Sequence, residues 1–151
     1  MRITFLSILV LLAGCAQIPD FRPAPPPAPA PNIDPSTGLA LPDDNAVTVE
    51  DFDTTTDEQR EEATVAPSTG GDSLGTTVAS LGDAAIPGFW LETPLVTVPT
   101  VGRVRNPDTG RIVQVDLRPI TGGSSRISLA ALRLLEAPLT GLVTLEVFLN
   151  T

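Results

Sequence analysis

The chain has 151 residues, with nine basic side chains against 18 carboxylates, a formal net charge of −9, no histidine and one cysteine. That balance argues against a nucleic-acid binder, whose footprint is a clustered basic patch. A lone cysteine excludes an internal disulfide, a CxxC redox pair and a thiolate metal cage.

The N-terminus opens on Met1-Arg2 and continues through Ile3 to Leu12 (ITFLSILVLL), apolar except for Thr4 and Ser7. Ala13 and Gly14 then lead to Cys15. A charged start, a short apolar run and small residues before a cleavage point define a secretory signal. The run is too short for a spanning helix, which takes about 20 apolar residues. Leu12-Ala13-Gly14-Cys15 resembles the lipobox of bacterial lipoproteins. The resemblance implies cleavage between Gly14 and Cys15, a diacylglyceryl group on the Cys15 thiol and a further acyl chain, typically palmitate, on the new N-terminus. Each buried CH₂ contributes about 0.8 kcal/mol, so two or three chains anchor stably where one does not. Neither Ala16 nor Gln17 is the Asp that retains many lipoproteins in the inner membrane. The implied location is the outer membrane of a Gram-negative cell, facing the periplasm.

Residues 15–73 read as a tether. Phe21 to Pro31 (FRPAPPPAPAP) favours polyproline II and a semi-rigid spacer. Asn32 to Gly71 is polar and acidic, and only Arg22 and Arg60 oppose its carboxylates. Low hydrophobicity with high charge leaves too little burial to offset ordering entropy, so disorder is expected. Val47-Thr48-Val49-Glu50-Asp51-Phe52 is the one stretch with docking character, and a solvated linker is the expectation for it. The negative charge belongs to this region. From Leu74 onward, Asp83, Glu92, Asp108, Asp116, Glu136 and Glu146 are matched by Arg103, Arg105, Arg111, Arg118, Arg126 and Arg133.

Residues 74–151 form the predicted domain, small enough to fold only marginally alone. Thr76 to Leu81, Phe89 to Glu92 and Val98 to Arg105 read as strands. Asn106-Pro107-Asp108-Thr109-Gly110 is a hairpin signal: Pro107 presets φ and Gly110 can close the turn with φ > 0. Arg111 to Leu117 alternates, with Val113, Val115 and Leu117 on one face and Gln114 and Asp116 on the other. Ser128 is placed to cap a short helix over Leu129 to Glu136, whose Leu129, Leu132 and Leu135 form a stripe. Pro138 prevents continuation, and Thr144 to Leu149 is the last strand. The predicted fold is mainly β: a small β-barrel with one short helix, behind a disordered Pro-rich and acidic linker.

The order of these elements resembles the double-psi β-barrel of the rare lipoprotein A family. Three stretches carry the likeness: Thr77 to Gly82, Gly102 to Leu117, and Arg126 to Ala131 with Leu134-Leu135. The family is lipid-anchored and associated with peptidoglycan, and some members are lytic transglycosylases. Those enzymes carry Asn-Asp-Arg-Gly-Pro after the hairpin, where this chain has Arg118-Pro119-Ile120-Thr121-Gly122. They start the helix with Asp, where this chain has Ser128. Glycan cleavage needs a carboxylic acid to protonate the leaving oxygen. Asp116 is the nearest carboxylate, and its place beside Arg118 predicts a surface ion pair.

Arg126-Ile127-Ser128-Leu129 and Ala137-Pro138-Leu139-Thr140 are similar to short alphaproteobacterial lipoproteins that carry a galactarate dehydratase label. That chemistry needs a base and usually a metal to hold an enediolate. The chain has neither histidine nor lysine, and no metal or other cofactor is expected. Ser124, Ser125 and Ser128 lack a base in the sequence to activate them, and Gly122-Gly123 is not followed by a phosphate-loop lysine. Phe89 and Trp90 are the candidates for glycan contact, although aromatics more often fill small cores. The expectation is a non-catalytic barrel on a lipid anchor, binding peptidoglycan or a periplasmic protein. The alternative is a transglycosylase-like enzyme.

Overall fold

A computed structural model describes residues 31–65 and 71–150. The alternation read in the sequence holds in three dimensions. Val113, Val115 and Leu117 are buried in the core, while Asp116 faces solvent. They lie on β4 (Ile112–Pro119), one of six strands among the described residues. The others are β1 (Ser73–Leu81), β2 (Trp90–Thr93), β3 (Thr100–Arg105), β5 (Ser125–Ile127) and β6 (Val143–Leu149). The chain is mainly β, and the strands close into a barrel in the order β1-β5-β2-β4-β3-β6.

The β1–β5 and β2–β4 pairs are parallel, and the remaining four pairs are antiparallel. Exchanging β1, β2 and β3 for β4, β5 and β6 maps every pairing onto another of the same sense. The two halves of the barrel therefore interleave as topological equivalents. Inward-facing Leu91, Val104, Val113, Val115, Leu117, Ile127, Leu145 and Val147 make the core.

β5 has no counterpart among the predicted strands. Its three residues carry too little alternation to register beside Gly122-Gly123 and the Ser128 cap. The predicted helix is α3 (Leu129–Leu134), with the Ser128 hydroxyl accepting from the Ala131 amide at 3.3 Å. It ends two residues before Glu136, which has φ +51°. The hairpin ends it. The Leu135 carbonyl accepts from Asn106 Nδ2 at 3.2 Å and Thr109 Oγ1 at 2.8 Å. The turn closes as read, with Gly110 at φ +73° donating to the Asn106 carbonyl at 2.8 Å. Asn106 is 2 % exposed, so the turn and the helix end share one buried joint.

Residues 31–65 depart from the linker expectation, whereas residues 16–30 lie outside the described ones. Two short helices stand here: α1 (Val49–Phe52) and α2 (Asp57–Thr64). Each starts with a capping box, Thr48 with Asp51 and Thr56 with Gln59. Such boxes satisfy backbone donors at both ends of the first turn. Acidic residues at 50, 51, 57 and 58 also suit the positive N-terminal ends of these helices. The acidity that predicted disorder thus also supplies helix starts.

The Thr48 hydroxyl and amide and the Val47 amide hold the Asp51 carboxyl below its ordinary value of 3.8. A lowered carboxylate pKa supports α1 above the ordinary value, and the support fades as pH falls through the folded one.

This segment forms a strap on the barrel. α2 packs on β4, and Ala63 joins the barrel core at 5 % exposure. Val47, in the stretch with docking character, is 83 % exposed, while Phe52 is half-buried.

Asn106→Ala should destabilise the barrel by about 1–3 kcal/mol, since it removes the side-chain hydrogen bonds to the Leu135 carbonyl and from the Asp108 amide and so loosens the turn. Urea unfolding followed by Trp90 fluorescence reads this.

Candidate functional site

Cys15 and Gly14, the predicted lipidation and cleavage positions, lie outside the described residues. Phe89 and Trp90 are adjacent in sequence but part company in the fold. Leu91 points into the core, so Trp90 points outward from β2. It is nevertheless 1 % exposed. The Arg118 guanidinium lies 5.3 Å from its ring centroid, and its indole Nε1 donates to the Ile86 carbonyl at 3.2 Å. Its ring edge packs on Gly82, where a Cβ would sit 2.4 Å from Trp90 Cη2. Trp90 is a covered structural aromatic, and the expectation of glycan contact through it is corrected. A stacking platform needs an open face, and both its face and its edge are occupied.

Phe89 is half-buried and lines a cleft of about 260 Å³ between α2 and the barrel. Leu39 and Ala63 give this cleft apolar walls, and Gln59, Glu62, Gln114 and Asp116 give it polar ones. Among the described residues its lining has two carboxylates and no basic side chain. The amides donate and accept, and the carboxylates accept. The arrangement suits a ligand rich in hydroxyl or amine donors. Sequence reasoning missed this cleft because half of it comes from the strap.

Asp116 also borders a second cleft of about 290 Å³, with Pro99, Thr100, Val101, Leu117 and Arg118. The predicted Asp116–Arg118 ion pair is absent among the described residues. Arg118 turns to Trp90 instead, and the strand register places Asp116 opposite Val101 and Trp90. The cross-strand ion pairs that form are Arg126–Glu92 at 2.9 Å and Arg105–Glu146 at 3.1 Å. Asp116 is thus an exposed carboxylate with a ligand-sized space on each side.

Two of the three serines are structural. Ser128 accepts from the Trp90 amide as well as capping α3. Ser125 bridges Thr77 at 2.6 Å and Thr93 at 3.1 Å, in a hydroxyl chain between β1, β5 and β2. Among the described residues that chain reaches no base. Ser124 is exposed and makes no side-chain hydrogen bond among the described residues. Among the described residues no group of three or more His, Cys, Asp or Glu could hold a metal ion. No helix there is long and apolar enough to cross a membrane.

No family model, no curated protein and no solved structure matches this chain.

Gly82→Ala should cost about 1–3 kcal/mol, because the added Cβ meets a buried, rigid indole. Urea unfolding should show a lower midpoint, and the native Trp90 emission should shift as the ring is displaced.

Proposed function

We propose that this chain is a lipid-anchored cell-envelope protein whose barrel is a non-catalytic module for peptidoglycan or a periplasmic protein. The observation that carries this reading is Leu12-Ala13-Gly14-Cys15 after a short apolar run, with Cys15 the only cysteine in the chain. Lipid on Cys15 supplies the membrane partner, and Ala16 and Gln17 direct it to the outer membrane. The barrel then faces the periplasm at the end of its tether. The amides and carboxylates in the cleft beside Phe89 support a role in binding hydroxyl-rich or amine-bearing chains. The absence of histidine and lysine from the sequence argues against most proton-transfer chemistry at neutral pH.

A second reading is favoured by one arrangement. Glu62 and Asp116 line the same cleft, and neither makes an ion pair among the described residues. A carboxylic acid beside a bound glycan is the minimum for transglycosylase chemistry.

Cys15→Ser should abolish palmitate labelling and move the protein out of the detergent-extracted membrane fraction. Unchanged fractionation would remove the anchor from the reading. The unlipidated chain from Ala16 should co-sediment with purified sacculi if the barrel binds the wall directly. Absence of co-sedimentation with and without salt would leave a periplasmic protein as partner. The same preparation should release no muropeptides. Release that Asp116→Asn abolishes would replace the non-catalytic reading with the enzymatic one.

A further inference from the structure

The strap is held differently from everything beneath it. Each barrel strand is fixed by backbone ladders on both sides. The strap has no ladder to the barrel: its one bridge, Ile33 with Ala40, is internal. Among the described residues its backbone hydrogen bonds, such as Asp34 to Leu39 and Leu41 to Asn32, also stay inside it. Among the described residues, the ion pairs and hydrogen bonds joining strap to barrel converge on one side chain, Arg133 of α3.

Arg133 Nη1 donates to Asp53 Oδ2 at 2.8 Å, and Nη2 stands 3.5 Å from Glu50. The Asp53 side chain is 3 % exposed, whereas that of Arg133 is 34 % exposed. The other Asp53 partners, Thr55 Oγ1 at 2.5 Å and Arg60 at 3.7 Å, belong to the strap itself. A buried carboxylate that loses its main cation is strongly disfavoured. Removing Arg133 therefore penalises the docked strap, and its short helices fray once they lose their packing on the barrel. The apolar hold is slight. Ala63 is the strap's one fully buried apolar side chain among the described residues, and Ile33, Val47 and Val65 are all exposed. Regions with few buried apolar contacts open at low free energy.

We propose that residues 31–65 form a releasable latch, docked through Asp53 and Arg133, that sets how far the barrel stands from its anchor. This rests on the anchoring at Cys15 proposed above. Docked, the strap folds its own length back against the barrel. Released, each residue adds up to about 3.3–3.6 Å of contour, on the order of 100 Å in all. Tension between a membrane and a wall-bound barrel favours the longer state. The latch therefore gives the tether two lengths.

Hydrogen exchange on the full chain from Ala16, without lipid or glycan, tests the latch. In the natural sequence the α1 and α2 amides should be protected. Arg133→Gln and Asp53→Ala should each raise their exchange by about tenfold or more, with the amides of β1 to β6 unchanged. Fluorophores on Gln17→Cys and Val98→Cys should move apart in both variants. Three results would overturn the proposal: strap amides exchanging at free-peptide rates in the natural sequence, strap protection unchanged in both variants, or barrel protection falling together with the strap's. None of these depends on lipidation, so failure of the anchor reading appears only in the Cys15→Ser fractionation.

Discussion

The structure rests on closure. β6 pairs with β1 on one side and β3 on the other, and this pairing turns five linked strands into a ring. A free edge would expose unpaired backbone donors and acceptors and invite association with another chain. Closure also completes the core. Val143, Leu145 and Val147 bring the apolar face of β6 against Val104 and Val113, from the central hairpin. A domain this small has few apolar side chains to bury, and a ring places nearly all of them on one inner surface.

Outside the ring, covering is done by charges and partial contacts. Arg118 covers Trp90, Arg126 and Arg105 pair across strands, and Arg133 reaches up to the strap. The arginines that balance the domain's net charge in the sequence are thus spent one by one on separate structural tasks. Asp116 is left exposed, bordering two clefts. That asymmetry, rather than any motif, makes the Phe89 side of the barrel the surface best able to meet a ligand.

Most of the barrel was legible. Alternation in Arg111 to Leu117, the turn at Asn106 to Gly110 and the Ser128 cap are local signals, and each element formed where its signal lay. β5 was not legible, because three residues that pair with strands more than thirty residues upstream carry no local period. Trp90 was legible by type alone: an indole suits packing or a platform, and Arg118 and Gly82 against it leave it covered. The strap was lost to averaging. Composition across Asn32 to Gly71 signals disorder, yet Thr48 with Asp51 and Thr56 with Gln59 are capping signatures readable at single-residue scale. Docking by Asp53 was beyond the sequence, since its partner lies 80 residues away.

The interchangeability of the two halves bears on self-association. Two molecules that traded their β1–β3 portions would keep every ladder of the ring, because pairing alone does not distinguish a half supplied by the same chain from one supplied by a neighbour. The difference lies in the link between β3 and β4. A tight reversal presents one half to the other at high effective concentration, while an opened one permits exchange. Asn106, tied to Arg111 through the backbone and to Leu135 through its side chain, keeps that reversal closed. The same buried amide that finishes a helix thereby guards the chain against domain swapping.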